Sequence, residues 1–142
     1  MAVTFPKRFD EQEAKKGVWF DVYDEHDQYF GTYLCRMYDV HSALTKLHIE
    51  RYNRTHRKEL SGKGYDDEQR GAHYFIHTCL MDWNLEKLTG KKVPYSPEEA
   101  FKVLTQEDAS FVVEFLFKCA KNTANFRPAD DAEETQDEVA KN

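Results

Sequence analysis

LMDWNLEKLTGKKVPYSPEEAFKVLTQEDASFVVEFLFKCAKNTANF, residues 80–126, holds two helix starts in quick succession. Ser96 is placed to cap the first, Pro97 suits the first helical position, where its missing N–H costs nothing, and Glu99 can reach back to complete a capping box. Thr105 repeats the device, with Gln106, Glu107 and Asp108 in the first turn, where negative charge favours a helix N-terminus. The helix that follows carries Phe111, Val112, Phe115, Leu116, Cys119 and Ala120 in a broad apolar stripe of helical period. Trp83, just ahead of the Gly90 turn, reads as a packing anchor, and with Ser96 and Pro97 it fixes how this region is built.

Working outward, the segment before Trp83 has a helical stripe of Ala72, Phe75, Ile76, Cys79 and Leu80, which predicts a helix from near Asp66 to Met81. Gly71 inside it costs about 1 kcal/mol relative to alanine and implies close helix packing or a later start. Before that, Asp39 can cap a helix from Val40 to about Leu60, with Leu44, Leu47, Ile49 and Tyr52 as apolar positions. Its outer side is basic, with Lys46, Arg51, Arg54, Arg57 and Lys58, and with His41, His48 and His56 interspersed. Ser61-Gly62-Lys63-Gly64 ends it. Further back the period changes to two. Val18, Phe20 and Val22 alternate with Trp19, Asp21 and Tyr23, and Phe30, Thr32 and Leu34 alternate with Tyr33, Cys35 and Met37, around the polar turn Asp24–Asp27. That is a β-hairpin, which two strands alone seldom stabilise, so it must lie on the helices or pair with another chain.

The expected fold class is therefore α+β, an antiparallel β-hairpin followed by about four helices around one small core, over residues 17–126. Residues 1–16 show no sustained period and read as a flexible arm, with Phe5-Pro6 as its one means of attachment. Residues 127–142 hold six acids against Arg127 and Lys141 and almost nothing to bury, and read as a disordered acidic tail. At 142 residues the chain can bury a real core without disulfides or metals. No apolar run approaches a membrane span and the start has no signal-peptide core, so the expected location is the cytoplasm of the host cell. Cys35, Cys79 and Cys119, widely spaced in apolar surroundings, fit buried reduced thiols.

Few constellations carry chemistry. His73 and His77 have the i,i+4 spacing that lets two imidazoles share a metal. No glutamate follows the first histidine, and no spacing asks for a third ligand, although Cys79 or another histidine could supply one. The reading is two partly exposed helix histidines, with no metal and no cofactor. The sequence has no nucleophile elbow, no Cys-x-x-Cys and no complete phosphate loop, and the expectation is a protein that is not an enzyme. Arg51, Arg54 and Lys58 could track phosphates, but the pI near 5.5 and the acidic tail oppose a nucleic-acid partner. Aromatic residues are abundant, and Phe117 falls on the side of its helix away from Phe111 and Phe115. With Val113 and Ala124 it defines a second apolar face, suited to a second copy or a client helix, or covered by the chain's own hairpin.

In chain order, a helix ending in Asp82-Trp83, the Gly90 turn, Val93-Pro94-Tyr95-Ser96-Pro97-Glu98-Glu99-Ala100, a short and then an aromatic-rich helix, Asn125-Phe126 and an acidic end at Lys141-Asn142 resemble the tail assembly chaperones of long-tailed bacteriophages. The resemblance runs from about Gly17 to Asn142. It implies a non-enzymatic chaperone that binds the tape measure protein, keeps its helical segments soluble and helps deliver tail tube protein. Other readings are a tail-completion or connector subunit and, from a different class, a nucleic-acid-binding regulator.

Overall fold

The structure is a computed structural model and describes residues 2–127. The expected acidic tail lies outside the described residues, apart from Arg127. The α+β class holds, with a three-stranded antiparallel sheet in place of the lone hairpin. Strands β1 (Val18–Tyr23), β2 (Tyr29–Cys35) and β3 (Leu80–Asn84) lie in the order β1-β2-β3. The described residues also form helices α1 (Glu11–Lys16), α2 (Ala43–Ser61), α3 (Asp67–Thr78), α4 (Glu86–Thr89), α5 (Pro97–Leu104) and α6 (Ser110–Lys121). The period-two reading of the hairpin is correct. In β1 Val22 is buried while Trp19, Asp21 and Tyr23 face out, and in β2 the inward set is Gly31, Tyr33 and Cys35. The Asp24 carboxylate ties the turn by accepting from the His26 and Gln28 backbone N–H groups at 2.8 and 2.9 Å.

The strand β3 is the main departure from expectation. Residues 80–83 were expected to continue the helix, but α3 stops at Thr78 and the chain pairs with the open edge of β2, Tyr33 opposite Trp83 and Leu34 opposite Asp82. The edge of a two-stranded ribbon presents unpaired backbone groups, and satisfying them from the same chain outweighs another turn of helix. Arg36 N–H, donating to the Cys79 carbonyl at 2.8 Å, carries the pairing past the end of β2. Trp83 is buried as expected, but from a strand. Its indole N–H donates to the Val93 carbonyl at 2.8 Å and Tyr95 meets its ring edge-on at 5.3 Å, which fixes the segment leading into α5.

Four helix starts differ in how closely they follow the local sequence signals. Ser96 caps α5, accepting from Glu99 N–H at 3.1 Å with Pro97 first in the helix, while the Glu99 carboxylate turns to Lys102 rather than back to Ser96. Thr105 does not cap α6. It ends α5, its hydroxyl donating to the Phe101 carbonyl, and a 3₁₀ turn at Glu107–Ala109 intervenes before α6. Asp39 is likewise displaced, because Ser42 caps α2 while Asp39 closes the turn before it. Asp66 and Gln69 form the full reciprocal capping box at α3.

α3 and α6 lie against the sheet, and the main core joins Val22, Tyr33 and Cys35 to Phe75, Ile76 and Leu116 among others. The expected six-residue stripe of α6 forms the core through one half of its members. Val112, Leu116 and Ala120 are buried, Phe111 and Cys119 are partly so, and Phe115 is 36% exposed. The arm expected over 1–16 contains α1, capped by Asp10, and Ala14 packs with Met37 and Phe126 in a second small cluster. Asp10 N–H donates to the Phe126 carbonyl at 2.7 Å, and Phe5, expected as the point of attachment, is 81% exposed.

Candidate functional site

Two places on this fold collect the side chains singled out above. The first is a groove of about 460 Å³ between α3 and α6, lined also by Leu104 of α5. Val113 and Phe117, one turn apart on α6, both line it, and Tyr74 faces them from α3. Ala124 does not share their helical face, since α6 ends at Lys121 and Ala124 sits in a 3₁₀ turn at Thr123–Phe126. Phe117 is half-buried. Its ring meets Tyr38 edge-on at 4.9 Å and lies 5.4 Å from Phe75, with the Lys121 ammonium 4.2 Å over its face. Phe117 and Val113 are both partly buried and pack against the main core as well as lining the groove. Glu68 and Glu114 give the rim an acidic character. Gly71 also lines the groove, and a Cβ added there would meet nothing within 4 Å. The expectation of close packing at Gly71 is corrected: the missing side chain widens an open surface.

The second place is a histidine cluster between α2 and α3. His73, expected to be partly exposed, is buried at 6% exposure, and His77 is half-buried. His56, from the far end of α2, joins them. Ring centres lie 4.1 Å apart for His56 and His77, 4.4 Å for His73 and His77, and 5.2 Å for His56 and His73. Tyr52, one turn before His56, places its hydroxyl 2.8 Å from His73 Nδ1, and Glu59 places a carboxylate oxygen 3.1 Å from His56 Nδ1. Burial, reinforced by the neighbouring imidazoles, holds His77 down to about 4, and burial likewise lowers His73. The sequence read His73 and His77 as a pair and His56 as part of a basic face; the third member was missed. A signal was present, since Tyr52/His56 and His73/His77 are two i,i+4 pairs on helices joined by a short glycine-containing loop.

Outside these places the chemistry is quiet. Burial pushes the thiols of Cys79 and Cys119 up to about 12 and 11 and raises that of Cys35, so they are protonated at neutral pH. Arg51, Arg54 and Lys58 are exposed along α2 and form no ion pair with a described residue. No helix among the described residues is long and apolar enough to cross a membrane.

Comparison with curated proteins and with solved structures gives no match. A family model described as YdaY prophage protein matches residues 37–142, from the end of the hairpin through the groove and the histidine cluster. That match covers most of the chain, so the protein belongs to the YdaY prophage protein family and is of bacteriophage origin.

Proposed function

We propose that this protein is a non-enzymatic assembly chaperone of a phage tail, acting in the host cytoplasm. Its α3–α6 groove would hold an apolar helical segment of the tape measure protein, with delivery of tail tube protein as the linked task. The observation that carries the reading is the groove itself, with the apolar Val113, Phe117 and Leu104 inside an acidic rim, on a chain of phage origin. An amphipathic helix lays its apolar face into such a groove, and its basic flanks suit Glu68 and Glu114. The family resemblance described above supplies the identity of the client.

Co-expression with the tape measure protein of the same phage, followed by capture of the complex, tests this. The double charge reversal Glu68→Lys, Glu114→Lys on the exposed rim is the variant of choice, because Val113 and Phe117 both pack against the core and an aspartate at either is expected to unfold the chain. The rim variant should keep the parent's helical circular dichroism and lose the client. Capture of the client by the variant as well as by the parent, or no capture by either, overturns the proposal. The exposed basic face of α2 favours nucleic acid as a second reading. Retention on a phosphate polymer that falls steeply with salt would move the function there.

A further inference from the structure

We propose that His56, His73 and His77 form a binding site for a divalent transition metal of the zinc class, which clamps the far half of α2 onto α3. The three residues can each offer one ring nitrogen with all three atoms within 4.8 Å of one another. Zinc bonded to imidazole nitrogens at about 2.0–2.1 Å in a tetrahedron needs those atoms about 3.3 Å apart. The rings must therefore close by up to about 1.5 Å, within the reach of side-chain rotation for rings already in contact. Three imidazoles and no thiolate suit zinc, copper, nickel or cobalt rather than magnesium or calcium.

The surroundings fix which nitrogen is offered. A carboxylate only accepts, so Glu59 holds the proton of neutral His56 on Nδ1 and leaves Nε2 with its lone pair free. This is the carboxylate–histidine arrangement that orients metal ligands from behind. The Tyr52 hydroxyl can accept from His73 Nδ1–H in the same way, again freeing Nε2. His77, between the other two rings, has no hydrogen-bond partner among the described side chains, so either of its nitrogens is available. Among charged neighbours, Lys63 works against a cation, and Glu59 and Glu98 work for it. A fourth position remains for water or a ligand from a partner.

The mechanical role follows from how little else holds α2. Of its 19 residues only Thr45 and Tyr52 are buried, and beyond Tyr52 only His56 and Leu60 are even partly buried. An ion bridging His56 to His73 and His77 would tie that overhang to the body.

Zinc titration of the full chain, stripped with a chelator and followed by competition with a chromophoric chelator, provides the test. The parent should take up one zinc per chain and melt at a higher temperature with zinc than without. Cobalt in its place should give the intense visible absorption of a four-coordinate site. His56→Gln and His77→Gln should each weaken zinc about 100-fold and abolish the thermal shift, and Glu59→Gln should weaken it about tenfold. His48→Gln, on the same helix outside the trio, should leave affinity unchanged. Should His77→Gln lose its helical signal, His56→Gln and Glu59→Gln still decide, since both alter partly exposed side chains. The proposal is overturned if the parent binds no zinc at about 100-fold excess. It is equally overturned if His56→Gln binds as tightly as the parent, which would place the ion on the cysteines or the acidic C-terminal residues.

Discussion

Replacing Trp83 should be the most damaging single change to the sheet, and two substitutions separate its contributions. Trp83 is 5% exposed at the outer strand β3, packed on Tyr95 and bonded to the Val93 carbonyl at 2.8 Å. Trp83→Ala removes the ring and leaves a cavity, which for a buried tryptophan costs about 3–5 kcal/mol. Trp83→Phe keeps most of the ring volume but leaves the Val93 carbonyl without its donor, at about 1–2 kcal/mol. At roughly 4 °C per kcal/mol for a domain of this size, the alanine variant should melt about 12–20 °C below the parent and the phenylalanine variant about 4–8 °C below. Circular dichroism melts in the presence of a chelator measure both without metal effects. Fluorescence adds a local check, because the other tryptophan, Trp19, is 48% exposed and Trp83 alone should report a buried environment. Equal melting temperatures for the alanine variant and the parent would falsify the placement of Trp83 as the anchor of β3 to residues 93–95. Equal losses for both variants would show that the hydrogen bond, rather than the ring, does the anchoring.

Other substitutions probe separate parts of the molecule. Gly71→Ala, in an open position within α3, should raise stability by about 1 kcal/mol through helix propensity, measured by urea midpoint, while reducing client capture if the groove is the seat. Gly31→Ala should instead destabilise the chain, by more than about 1 kcal/mol, because its φ is +108° and a Cβ would come within 2.7 Å of Leu85; a parent-like urea midpoint would contradict this. Asp66→Ala removes the capping box of α3 and should cost about 1 kcal/mol by the same measurement. Phe126→Ala, in the second cluster, should cost about 3–5 kcal/mol and speed hydrogen exchange of α1 ahead of the main core.

The elements written in local chemistry were legible in the sequence. The alternation of Val18–Tyr23 and Tyr29–Cys35, the Ser96-Pro97 start and the Gly62–Gly64 stop each carry their own signal within a few residues. What failed needed knowledge of a distant partner. Leu80–Asn84 follows α3 with no glycine or proline to mark a break, and only the open edge of β2, dozens of residues earlier, makes it a strand. Thr105 has the residues of a cap around it, but the chain turns at Glu107–Ala109 before α6 begins, and of the six-residue stripe read for α6 only Val112, Leu116 and Ala120 are buried. At the candidate sites the pattern is the same. Val113 and Phe117 share a helical face and were found together, whereas Ala124 was assigned to a helix that had already ended. His56 lies 17 positions from His73, and the two i,i+4 pairs Tyr52/His56 and His73/His77 become one cluster only once the loop between α2 and α3 brings their faces together.

The bond from Asp10 N–H to the Phe126 carbonyl, with Ala14 set against Phe126, has a bearing on how the molecule can be handled and extended. It makes the body nearly a closed ring, with both ends of the well-packed chain leaving through one patch of surface. A segment joined directly before Phe9 or after Arg127 would start from that patch. The same closeness makes a circular permutant practicable, with a short linker across the old ends and new ends cut at Lys63. In such a permutant α2 and α3 would no longer be joined by a loop, and whatever still held His56 to His73 and His77 would have to do so through space.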